Sequence, residues 1–432
     1  TYSEFREERT AVGSVNSPSK YSRFNQSFTE LNYDLLLNYN FDLSEKLALD
    51  GVVGATARQS ETEWVNASTS GGLVVPKLYS LSNSTNLLPP ATEYLGKLKQ
   101  YGFFANASFN YDRLIYLDLS GRYDISSTLP DDNNGFFYPA ISTSFVFSKL
   151  VEADWLSFAK LRANYAEVGN STVPQRVYNS YFSPTNFSVP LFSVAGQNNN
   201  RNLVNELTKS YEVGLEMSFA NKRAGLDVSY YKTNTTDQIF PVQVSRATGY
   251  SSKVVNSGDI ENKGVEVALF VTPVKTDNFD WTINGTWAKN ESEVISLFDG
   301  VDNLEMESFQ GGVTINATVG QPYGSLWGGN FTYLDGEKVI DADTGRYVVD
   351  ATPQPIGDIN PDWKAGITNS LRYKNLSMSF LIDIQKGGDF FSLDTWYGYA
   401  TGVYDVTAGD NELGNPKRDP IADGGGILLE GV

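Results

Sequence analysis

The feature that most constrains this chain is a period of two. From Tyr211 to Phe219 every odd position is apolar, and polar residues or Gly fill the even ones. After Ala220–Arg223 the pattern resumes in Ala224–Tyr230, with the apolar residues now at even positions. A strand turns successive side chains to opposite faces, so this alternation marks strands with one wet and one apolar face. The four-residue link predicts an antiparallel hairpin.

The same unit recurs along the chain. Leu31–Leu43 alternates and turns at Ser44-Glu45 into a strand from Lys46 to about Trp64. Tyr101–Tyr111 turns at Asp112-Arg113 into Leu114–Thr128. Further pairs are Phe136–Lys149 with Trp155–Val168, Gly264–Val271 with Trp281 to about Val294, and Trp363–Tyr373 with Leu376–Ile384. Residues 1–28 read as polar and irregular. Long polar stretches separate the pairs: one holds Pro76, Pro89 and Pro90, another runs from Gly169 to Glu206, and the largest spans Ser296–Pro361.

That makes about twelve strands with short and long connections in alternation. A soluble sandwich has no reason to gather every long loop at one end. An up-and-down transmembrane barrel does, with short periplasmic turns, long extracellular loops, an apolar outer face and a polar lumen. With 25 Tyr, 25 Phe and 7 Trp, aromatics such as Tyr39, Tyr111, Phe219 and Tyr373 stand near strand ends, where interfacial girdles form. No run of about 18 apolar residues exists for a membrane helix. The expected fold class is therefore all-β, an antiparallel up-and-down transmembrane β-barrel.

Charge and composition narrow the chemistry. A net charge of −18 disfavours nucleic acid, whose phosphates need basic surface. Without His or Cys there is no disulfide, no thiolate metal site and no Ser-His or Cys-His arrangement. No cofactor is expected, and an enzyme is disfavoured, a carboxylate-only glycosidase being the chemistry still open. Asp341-Ala342-Asp343-Thr344-Gly345 looks like a calcium loop, but the twelfth position, where an acidic ligand belongs, is Thr352, so a turn is expected. The carboxylates Asp131-Asp132 and Asp259/Glu261 read as solvated or structural groups. Triplets such as Asn106-Ala107-Ser108 and Asn284-Gly285-Thr286 lie mid-strand and fit an amide- and hydroxyl-rich lumen wall better than glycosylation sites.

Several segments resemble one family, the SusC/RagA-like TonB-dependent outer-membrane transporters. They are Leu161–Asn170, Lys209–Glu216, Asn256–Glu266, Ile356-Gly357-Asp358-Ile359-Asn360-Pro361-Asp362-Trp363, Gln385-Lys386-Gly387-Gly388-Asp389 and Asp419–Val432. They occur in family order. The first 150 residues are similar only in pattern. The resemblance implies a barrel of roughly 22 strands around an N-terminal plug, in the outer membrane of a Gram-negative cell. It implies import of oligosaccharide or peptide beneath a SusD-like surface lipoprotein, energised by TonB. By strand count residues 1–432 correspond to roughly the C-terminal half of that barrel, and the plug, the TonB-contacting segment and the closing strand are not among them. Both ends read as cuts in a longer chain, and since open sheet edges in lipid are untenable, the missing half is expected from the rest of the polypeptide or from a second chain.

The candidate contact residues are aromatic. Trp396, Tyr397, Tyr399 and Tyr404 follow the last strand outward, while Tyr323, Trp327, Phe331 and Tyr333 lie in the largest insertion. Aromatic rings stack on sugars and bury at protein interfaces, so these residues are candidates for substrate contact, lid contact or packing within loops. An acidic surface adhesin or glycan-binding β-protein is the alternative reading, and a passive porin-like channel is another.

Overall fold

A computed structural model describes residues 1–11, 18–182, 189, 191–298 and 300–432. The remaining parts of the expected N-terminal irregular stretch (12–17), of the Asn/Ser/Pro-rich loop (183–188 and 190) and of the largest insertion (299) lie outside the described residues. Thirteen long strands are found among them. In chain order they are β1 (Tyr2–Arg9), β2 (Lys20–Ser44), β3 (Leu47–Ser68), β4 (Thr92–Tyr111), β5 (Ile115–Ser126), β6 (Gly135–Phe145) and β7 (Leu156–Asn170). Then come β8 (Glu206–Phe219), β9 (Ala224–Thr236), β10 (Asp259–Lys275), β11 (Phe279–Ser296), β12 (Pro361–Tyr373) and β13 (Leu376–Gly387).

The chain forms two compact units. The first comprises Thr1–Val151, Lys160–Val213 and Thr235–Ser257, and the second comprises Glu152–Ala159, Gly214–Asn234 and Gly258–Val432. In the first, β1 to β7 pair antiparallel, each with its chain neighbour. In the second, β10 to β13 do the same. This is the up-and-down order that short turns between alternating strands demand.

Register keeps the two faces separate across strands. Leu37 faces Val53, and Val53 faces Ala105, on the apolar side. Asn38 faces Val52, and Val52 faces Asn106, on the other. The apolar side is bare: Leu31, Tyr33, Leu35, Leu37, Phe41 and Leu43 of β2 are all exposed, as are Leu376, Met378, Phe380, Ile382 and Ile384 of β13. A band this size would not persist on a surface facing water.

Two expectations need correction. Residues 2–9 and 20–28 are strand rather than irregular chain, and β3 and β4 likewise run well past the apolar band. There the side that is greasy lower down becomes charged, with Lys97 paired to Glu61 at 3.0 Å and Arg23 to Glu4 at 3.1 Å. Hydrogen bonding continues the ladder where no apolar medium imposes alternation, so the period fades while the strand persists. At β6 the reverse holds. The strand stops at Phe145, and Phe147–Leu150 forms a short 3-10 turn instead of continuing to Lys149.

The packed core joins long-loop residues to the start of β6. In the first unit Leu129, Phe136, Val177, Leu203 and Val254 form one buried cluster, with Tyr138 and Ile239 against it. Val254 and Ile239 belong to a small sheet of Gln197–Asn198, Ser252–Asn256 and Ile239–Gln243. In the second unit the largest insertion is a sheet of its own, Asn303–Phe309, Val313–Thr318, Ser325–Phe331 and Val349–Asp358, paired in that order.

Candidate functional site

Two arrangements stand out, one in each unit. In the first unit a polar cluster forms on the face opposite the apolar band. Register places Phe104 against Arg122 and Arg122 against Tyr138. Arg122 Nε donates to Asp124 Oδ1 at 2.8 Å, and its Nη2 donates to Thr56 Oγ1 at 3.0 Å. Gln100 Nε2 donates to Asp124 Oδ2 at 3.2 Å, and the Tyr138 hydroxyl donates to the same oxygen. The guanidinium lies 5.4 Å from the Phe104 ring centroid, a cation–π distance. Gly102 makes this possible, because a Cβ there would stand 2.2 Å from Arg122 Nη2 and 2.5 Å from Asp124 Oδ1. Asp124 is buried, yet both its oxygens are satisfied, as a carboxylate removed from water requires. No candidate residue from the sequence lies here. Arg122 and Asp124 read there as polar positions of an alternating strand, and nothing marked them as partners of Thr56 and Gln100.

In the second unit the aromatic candidates fall into separate places. Trp396, Tyr397 and Tyr399 sit on an unforeseen helix, α1 (Leu393–Thr401). The Ser392 hydroxyl caps it by accepting from Thr395 N at 3.1 Å, and Gly402 ends it at φ +72°. Trp396 and Tyr397 meet edge to face at 4.9 Å, and Tyr404 returns to Tyr399 at 5.1 Å. All four rings stay substantially exposed, so packing within the loop does not consume them.

Trp327 and Tyr333 are not part of this group. Trp327 is half-buried in the loop sheet, its Nε1 donating to Ser325 Oγ at 3.0 Å. Tyr333 is exposed on a small hairpin opposite Lys338. That hairpin holds an arrangement not singled out in the sequence: Lys338 Nζ stands 4.3 Å from the Phe331 ring and 4.9 Å from that of Tyr347.

The Asp341 motif is a turn. Asp341 Oδ1 accepts from the Thr344 hydroxyl at 2.8 Å, Thr344 N at 2.7 Å and Asp343 N at 3.1 Å. The Thr344 hydroxyl, then the Thr344 amide, hold the carboxyl below its ordinary value of 3.8. A lowered folded value means this group's support for the turn is complete above 3.8 and is lost as pH falls through the folded value. In the solution NMR spectrum, the Thr344 amide shift is therefore expected to titrate with a midpoint below 3.8, and Asp341→Ala is expected to abolish that titration. A midpoint at or above 3.8 would remove the linkage.

A transmembrane β-barrel of the outer-membrane type is what the strand order, the bare apolar band and the long loops define together. Residues 1–422 match the family model described as TonB dependent receptor-like, beta-barrel. The chain belongs to that family, and its setting is the outer membrane. TonB-dependent receptor P26 of Formosa agariphila is 26% identical over 393 residues, which are 84% of this chain and 39% of that protein. TonB-dependent receptor SusC of Bacteroides thetaiotaomicron is 23% identical over 330 residues, 67% of this chain and 31% of that one. The fold is also that of a chain in the RagAB peptide transporter, with a TM-score of 0.71, 20% identity, and coverage of 88% of this chain and 44% of that one. The chain thus spans less than half the length of these relatives. The family is one of TonB-dependent receptor barrels, and the surface-adhesin reading is set aside.

Proposed function

We propose that residues 1–432 are part of the barrel of a TonB-dependent importer for oligosaccharides or peptides. The plug and the TonB-contacting segment belong to polypeptide outside these residues. The polar face lines the transport path. The exposed aromatics Trp396, Tyr397, Tyr399 and Tyr404, with Tyr333 and Trp327 further along the loops, meet substrate or a SusD-like surface lipoprotein. The match of residues 1–422 to the barrel family carries this reading, and the RagAB transporter supplies the fold precedent. The four exposed rings around α1 support the contact role, because bare aromatic surface is what stacking on sugars and burial at interfaces use.

The test is uptake in cells that depend on the full-length receptor. Labelled oligosaccharide and oligopeptide pools are supplied to cells with the wild-type receptor or with Trp396, Tyr397, Tyr399 and Tyr404 all replaced by Ala. Uptake of one pool is expected, with a loss of about tenfold in the variant at unchanged surface level, roughly what losing one good aromatic contact implies. Unchanged uptake in the variant would remove the contact role. Uptake that persists without TonB would replace energised import with a passive channel.

A further inference from the structure

Two sequence motifs, Ile356–Trp363 and Gln385–Asp389, have no role in the reading above, yet the fold brings them together. Asp389 N donates to Asp358 O at 2.7 Å, and Asp358 N donates back to Asp389 Oδ2 at 3.0 Å. Asp358 Oδ1 in turn accepts from Asn360 N at 2.9 Å and from Asn360 Nδ2 at 2.8 Å. The same Nδ2 reaches Tyr323 O at 2.8 Å. Gly357 is needed for this contact, since a Cβ there would stand 2.7 Å from Asp389 Oδ2. Asp358 closes the stretch of chain between β11 and β12, and Asp389 opens the one after β13. The contact therefore joins the roots of the two longest loops.

The same two loops meet twice more. Gln310 Nε2 donates to the Tyr397 hydroxyl, and Phe391 packs beside Gly311. Farther out, Val432 N donates to Lys338 O at 2.9 Å, Ile340 N donates to Val432 O at 2.5 Å, and the Tyr347 hydroxyl donates to Glu430 O at 3.0 Å. The two loops are thus joined at three separate places.

We propose that the described loop residues 300–360 and 388–432 are one mechanical body, latched at its root by Asp358 and Asp389. Residues that open together exchange their amide hydrogens together. A contact made on α1 is then passed to the hairpin around Lys338, although the two are separated by more than fifty residues in the chain. The inference does not depend on what, if anything, is imported.

Hydrogen exchange read by mass spectrometry on the full-length receptor in lipid nanodiscs tests it. Asp389→Ala removes a hydrogen bond to a carboxylate and is expected to speed exchange about tenfold. The increase is expected at the root, at residues 338–340 and at residues 430–432 alike. Asp389→Asn keeps an acceptor and is expected to stay within about twofold of wild type. Faster exchange confined to the root, or to one of the two loops, would overturn the proposal. Should Asp389→Ala fail to reach the membrane, Gln310→Ala is the second variant. It is expected to speed exchange in 303–318 and 393–401 together, and a change in only one of these segments would overturn the proposal equally.

Discussion

Replacing Leu37 with Arg is expected to cost about 2–4 kcal/mol of folding stability in a bilayer, the range for a cation at mid-depth on the lipid face of a barrel. Leu37 is 69% exposed and lies midway along the apolar run from Leu31 to Leu43. Its cross-strand neighbour is Val53, with Ala105 beyond. Among the described residues, neither of these neighbours can pair a guanidinium. In a soluble protein, substitution at so exposed a position would be nearly silent. Asn38→Arg, one residue on and facing the other way, is the control and is expected to cost little. Urea unfolding of the full-length receptor from phospholipid vesicles compares them. Equal losses for the two variants would mean that the Leu37 side does not face lipid.

The second large effect is expected at Asp124. Asp124→Ala takes away the acceptor shared by Arg122, Gln100 and Tyr138. Arg122 then keeps Thr56 and the Phe104 ring but loses its ion-pair partner among the described residues. Breaking a buried ion pair from one side costs about 3–5 kcal/mol. With Arg122 32% exposed, water relieves part of this, and about 3 kcal/mol is expected. Asp124→Asn retains an acceptor and is expected to lose about 1 kcal/mol, the worth of an ordinary hydrogen bond. The same unfolding assay measures both. If Ala and Asn cost the same, charge pairing contributes nothing here and the cluster is only a hydrogen-bonded lining.

How far these elements could be read from the chain depended on what surrounds them. Leu31–Leu43 and Leu376–Ile384 were legible because lipid demands an apolar residue at every second position. Lys20–Glu30 belongs to the same strand as Leu31 but was not legible, since its ladder bonds leave no mark on side-chain polarity. Helix α1 was hidden for a different reason. It is nine residues long and is held by a Ser392 cap and a Gly402 stop, too short to establish a helical period. Residue type alone marks the aromatic candidates in the sequence. Structure sorted them into an exposed group around α1, a half-buried Trp327 and an isolated Tyr333. Tyr347 was missed because its ring gains meaning only when a hairpin turn at Asp341 carries it to Lys338.

The alternation, the order of strands and the two-sided character of the sheet are written in the residues themselves. Each follows from the backbone's period of two and from a medium that tolerates polar groups on one side only. Which polar groups meet depends on how the strands and loops come together in space. Asp124 finds Arg122 two residues away, but it finds Gln100 through register across β4 and β5. Asp358 finds Asp389 because β12 and β13 form a hairpin that returns the chain to its starting level. Such partnerships depend on where loops and strands end in space, and no local pattern of residues records that.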